Sequence, residues 1–201
     1  MLQLALATVL LLAPPEKDLR DEWKATEGFE PKAGALPDVR IGHSVIILRN
    51  RGMAVTKEKL TEGSVSLRWT QAFDNAEKTT YHDHLVVVLR TDGARSKEWP
   101  FEIDSGIIVR IAADMIGVES KEAGKGSSQL IPVKDVDLSG ERLVSITDKG
   151  DQITIAIDGK VVLEGKVDPE FGGENRNAAV YNREGVANAL HIAVLSEVQV
   201  K

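Results

Sequence analysis

The stretch Leu143-Val144-Ser145-Ile146-Thr147, Asp148-Lys149-Gly150-Asp151, Gln152-Ile153-Thr154-Ile155-Ala156-Ile157, Asp158-Gly159, Lys160-Val161-Val162-Leu163 decides the fold. Its apolar residues recur at every second position, the repeat of a strand that turns one face to a core. A turn containing Gly150 separates the first two runs. Asp158-Gly159 separates the last two, and that dipeptide suits the positive φ angles of a two-residue hairpin turn. Strand, turn, strand, hairpin, strand is the order written here.

Outward from this stretch the alternation continues. His43 to Arg49 reads as a strand followed by the turn Asn50-Arg51-Gly52. Ser64 to Thr70 puts Val65, Leu67 and Trp69 on one face and Ser66, Arg68 and Thr70 on the other. Tyr81 to Arg90 puts Leu85, Val87 and Leu89 on one side, with His82, His84, Val86, Val88 and Arg90 opposite. Asp104 to Ile111 sends Ile107, Val109 and Ile111 inward, and Asp104, Gly106, Ile108 and Arg110 outward. A last strand runs from Leu190 to Val200. Residues 16–42 are rich in turn formers and predict a loop or one short strand; Ala123 to Ser128 predicts a flexible loop. No segment sustains a helical repeat. The class is all-β, an antiparallel two-sheet jelly-roll sandwich, in one domain over residues 16–201.

Composition narrows the function. The 201 residues carry a net charge of −6 and no cluster of Lys or Arg, which excludes the concentrated basic face of a nucleic-acid binder. The absence of Cys excludes disulfide scaffolds, thiolate zinc sites and cysteine nucleophiles. Met1 to Ala13 is apolar almost throughout and ends at Pro14-Pro15. That run is too short to span a bilayer and has the length of a signal-peptide core. Residues 1–15 therefore predict a signal peptide and a periplasmic or secreted product.

The segments Ser139 to Thr147 and Gly150 to Lys160, with the closing strand, resemble the second half of a concanavalin A-like (laminin G-like) jelly roll. The run Asp104-Ser105-Gly106-Ile107-Ile108-Val109-Arg110 is similar to a segment of the 3-keto-disaccharide hydrolase domains, with Asp104 where those usually have Asn. The resemblance implies a carbohydrate ligand, bound on a polar sheet face by planar donors and a stacked aromatic ring. Arg68, His84, Arg90, Asp104 and Arg110 are the candidates for that face if their strands share a sheet, and Trp99 is the candidate ring. A solvated outer face with Trp99 as a core plug is the alternative. A hydrolase of the 3-keto-disaccharide type would need a general base, for which His82, His84 or Asp104 could serve. A structural or adhesion module is the third reading.

The remaining motifs are incomplete. Glu102-Ile103-Asp104 resembles the carboxylate strand of family-16 β-glucanases, but Ile107 stands at the third carboxylate position. His82 and His84 share a strand face with no third ligand nearby in sequence, so no metal site is predicted. Asp135 to Glu141 imitates the start of a calcium loop, but Ile146 stands at its twelfth position; a loop calcium of laminin G type competes with an ordinary polar turn. Glu119 and Gly126 occupy positions that a phosphate loop needs for Gly and Ser/Thr. No cofactor is expected.

Overall fold

The computed structural model describes residues 17–26, 38–49, 52–73, 84–94, 103, 105–111, 115–122, 125–134, 140–168, 176–183 and 191–201. The expected signal peptide, residues 1–15, lies outside them. One helical turn, α1 (Leu19–Glu22), precedes fourteen strands: β1 (Trp23–Ala25), β2 (Val39–Ile41), β3 (Val45–Arg49), β4 (Met53–Thr56), β5 (Ser64–Phe73), β6 (His84–Thr91), β7 (Gly106–Ile111), β8 (Met115–Glu122), β9 (Lys125–Lys134), β10 (Arg142–Asp148), β11 (Gln152–Ile157), β12 (Lys160–Lys166), β13 (Asn177–Arg183) and β14 (His191–Val200).

They form two seven-stranded sheets. Sheet I has the order β1-β4-β13-β6-β7-β8-β9 and sheet II the order β12-β11-β10-β5-β14-β3-β2. The pairings are antiparallel, and the inner faces of the two sheets close on one core. Leu85, Val87, Leu89, Ile107, Val109 and Ile111 from sheet I meet Val65, Leu67, Trp69, Val144, Ile146 and Ile155 from sheet II there. The alternation on these strands therefore assigns the core face as the sequence indicates. The two-sheet jelly-roll sandwich is the fold observed.

Three expectations are corrected. Residues 16–42 hold a helical turn and two short strands: Asp18 caps α1 by accepting the Arg20 N–H at 2.9 Å, and β1 pairs with β4. Within the expected loop Ala123 to Ser128, residues 125–128 belong to β9, paired with β8; Gly126 and Pro132 hid this edge strand from a pattern reading. The third correction concerns the outer face of sheet I. Met53, Val55, Val86, Val88, Ile103, Ile108, Ala179 and Tyr181 form a second buried apolar cluster there. The continuous run Leu85 to Leu89 is the sequence of a central strand covered on both faces, not of a half-solvated one.

Candidate functional site

The registers set the rows on the outer face of sheet I. Tyr181 of β13 lies opposite Val86 of β6, Val86 opposite Arg110 of β7, and Arg110 opposite Gly117 of β8. One row along, Ala179, Val88, Ile108 and Glu119 follow in the same order. Gly117 presents no side chain beside Arg110. Its guanidinium reaches diagonally across β8, and Nη2 donates to Glu119 Oε2 at 3.1 Å. The side chains of Arg110 and Glu119 keep 10% and 16% of their surface exposed. A planar donor fork beside a carboxylate acceptor, rimmed by apolar side chains, can hydrogen-bond neighbouring hydroxyls in both senses. Ile103 belongs to the apolar cluster of this face, so the connection from β6 to β7 reaches the face at that residue.

Arg68 and Arg90 do not converge on it. Arg68 stands on β5, in sheet II, and its side chain lies on that sheet's outer face. There Nη2 donates to Glu197 Oε2 at 3.0 Å and Nη1 to Glu141 Oε1 at 3.3 Å. Nε also lies 2.9 Å from Glu197 Oε1, a close charge contact off the hydrogen-bond direction. The bond and charge of Glu197 raise the guanidinium's pKa, and Arg68 holds the Glu197 carboxyl below its ordinary value. Glu141, the described end of the expected calcium loop, also accepts from Thr70 Oγ1 at 3.3 Å. A shared face for Arg68 and Arg110 is thus overturned, because β5 joins β10 and β14 rather than β6.

Arg90 is corrected too. A bulge in the β6–β13 pairing, with Arg90 at a φ of 54°, reverses the alternation and turns its side chain inward. It is buried against Asp148 of sheet II. His84 takes the register position opposite Arg183 at the start of β6. His82, Trp99 and Asp104 lie outside the described residues. Among the described residues no group of three or more His, Asp or Glu is placed to hold a metal, and no helix is long and apolar enough to cross a membrane.

Sequence reasoning missed Glu119, Glu197, Glu141 and Asp148, the partners of its arginines. The signal for Glu119 was present in Met115-Ile116-Gly117-Val118-Glu119, where Ile116 and Val118 alternate with Gly117 and Glu119. For the others the signal is pairing between distant strands, which one chain's pattern does not carry.

No protein-family model matches this chain, and no curated protein sequence matches it. Solved structures do. The Crh5 transglycosylase in complex with NAG superposes with a TM-score of 0.57 at 12% identity, covering 88% of this chain and 78% of the other. Carbohydrate-binding module CBM66 from Bacillus subtilis gives 0.54 at 15% identity, covering 88% and 93%. A β-1,3-1,4-glucanase from a mouse hindgut metagenome gives 0.54 at 10% identity, covering 88% and 92%. At such identities the likeness is one of fold, and the fold is the concanavalin A-like jelly roll.

Proposed function

We propose that this chain is an exported domain that binds or processes a carbohydrate on the outer face of sheet I over β6, β7 and β8. The Arg110–Glu119 pair carries the reading. It places a guanidinium fork and a carboxylate side by side, each with part of its surface exposed, a donor and an acceptor of the kind that a sugar's hydroxyls require. Structures of the same fold that are a carbohydrate-binding module and a transglycosylase with a bound sugar support the ligand class. Trp99 and Asp104, which lie outside the described residues, are proposed from the sequence as its stacking ring and second carboxylate. Export rests on the apolar run ending at Ala13-Pro14.

The test is a glycan array followed by calorimetric titration of the chain from residue 17 onward. Arg110→Ala should weaken binding of any glycan found by about 5- to 150-fold, the loss of hydrogen bonds from a charged donor. Arg110→Lys, which keeps the charge without the fork, should fall between. Lys166→Ala, exposed on the edge strand β12, should bind as the parent does. A parent that binds no glycan, or an Arg110→Ala variant that is folded and binds equally, overturns the reading. Sequencing the N-terminus of the product recovered from an expressing bacterium tests export; a product beginning at Met1 in the cytoplasm rules it out.

A further inference from the structure

Where β6 leaves sheet I, the sandwich holds a charge pair that the proposed site does not use. The Arg90 and Asp148 side chains keep only 3% and 2% of their surface exposed. Arg90 Nε donates to Asp148 Oδ2 and Nη2 to Asp148 Oδ1, both at 2.6 Å, the two parallel bonds of a guanidinium on a carboxylate. The same group donates from Nη1 to the Asp168 carbonyl at 2.7 Å and from Nη2 to the Gly150 carbonyl.

These acceptors come from the end of β10, the turn to β11 and the segment after β12, and they are fixed independently of Arg90. Asp148 Oδ1 accepts the Gly150 N–H at 2.9 Å, and the Asp148 N–H donates to the Gly63 carbonyl at 2.8 Å. The Val167 N–H donates to the Asp151 carbonyl at 2.9 Å, tying the segment that carries Asp168 to the turn. The guanidinium itself arrives from the opposite sheet, on a residue held at positive φ. Among the described residues, four oxygens, two of them the Asp148 carboxylate's, surround a buried point and are held there by sheet II's own bonds. That is the description of a receptor.

We propose that the Asp148 carboxylate and the carbonyls of Gly150 and Asp168 form a guanidinium-binding site that the chain fills with its own Arg90, and that the site survives removal of that side chain. The two sheets are then clasped at this end by an internal ligand. Arg90→Gly, which suits the positive φ, leaves a vacant cage matched to a free alkylguanidinium.

Thermal melts of the parent, Arg90→Gly and Arg90→Gly/Asp148→Asn test this, each with no addition, about 20 mM methylguanidinium, about 20 mM methylammonium or about 20 mM calcium. Arg90→Gly should melt roughly 10 °C below the parent, since it strands a buried carboxylate. Methylguanidinium should restore about 3 °C or more to Arg90→Gly, and nothing to the parent or the double variant. Absence of restoration overturns the proposal. So does equal restoration by methylammonium or calcium, which lack the planar fork, or in the double variant, which lacks the carboxylate. If Arg90→Gly is recovered only unfolded, its refolding yield from urea with and without methylguanidinium reads the same site, and an unchanged yield overturns it.

Discussion

At the scale of single residues, alternation is a good guide until backbone geometry interrupts it. Asp158 and Gly159 adopt φ angles of 50° and 79°, the hairpin conformation their dipeptide indicates, and Ile157 pairs with Lys160 across it. A Cβ at Gly159 would meet nothing within 4 Å, so a larger residue there is opposed by its φ alone. Gly159→Val should cost about 1–2 kcal/mol, whereas Thr154→Val, on the outer side of β11, should change stability by less than about 0.5 kcal/mol. Equal denaturation midpoints for the two would place the turn elsewhere. Arg90 shows the opposite case: nothing in Leu89-Arg90-Thr91 marks the bulge that sends a charged residue inward. Arg68 shows how a predicted ligand residue is absorbed by local partners, and that has a consequence in acid. Because Arg68 holds Glu197 below the ordinary 4.5, the bond contributes fully above that value and is lost as pH falls through the lowered one. Melting temperatures from pH 7 to 3 should fall less steeply for Glu197→Gln than for the parent, with a small difference at pH 7 because the pair is exposed. Parallel curves would mean that the bond does not form in solution.

At the scale of elements, the legible strands were those with one apolar face, β5, β10, β11 and β14 among them. The strands missed include β4, β8, β9 and β13. Met53–Thr56 is buried at every position and too short to show a period, and β9 is an edge strand containing Gly126 and Pro132. Strand β6 was found but its outer face was misjudged, because Val86 and Val88 were counted with the polar side. Their burial is directly testable. Val86→Thr and Val88→Thr, isosteric but hydroxylated, should each cost about 1–2 kcal/mol in urea unfolding, whereas a solvated face would make both nearly neutral. The start of β7 gives a second check on the same packing. Gly106 has a φ of 136°, and a Cβ there would lie 2.6 Å from Val88 Cγ1 and 2.7 Å from the Leu89 carbonyl oxygen. The methyl could turn away, but the backbone oxygen cannot. Gly106→Ala should cost about 2 kcal/mol or more, and this contact is a physical reason for Gly in the motif that carried the resemblance.

At the scale of the molecule, the order of strands was illegible although most strands were not. β5 lies between β10 and β14, and β13 between β4 and β6, neighbours brought together from distant parts of the chain. This is why the three arginines of the predicted face parted: they went to the outer face of sheet II, the interior and the outer face of sheet I. The same non-local closure gives the first described segment a role out of proportion to its length. Leu19 and Trp23 keep 3% and 1% of their surface exposed, inside the common core. The Leu19 N–H donates to the His43 carbonyl beside sheet II at 2.9 Å. The Thr26 N–H donates to the Met53 carbonyl at 3.0 Å and the Lys57 N–H to the Glu22 carbonyl at 2.7 Å, both joining sheet I. Residues 17–26 are thus a strap across one side of the sandwich, covering the β4 edge with β1 and plugging the core with an indole. A processing cut after Ala13 leaves this strap whole, and one beyond Trp23 removes it. A chain beginning at Lys17 should therefore melt within about 2 °C of the chain beginning at Met1, since no described contact is lost. One beginning at Glu27 loses a buried Trp and a buried Leu together, at least about 4 kcal/mol, a large share of what holds a domain of this size folded. Trp23→Ala in the longer chain separates the indole from the strap's backbone bonds: by itself it should cost about 3 kcal/mol or more, most of that loss. If the chain from Glu27 melted as cooperatively and as high as the chain from Lys17, the strap would be an accessory to the sandwich rather than one of its walls.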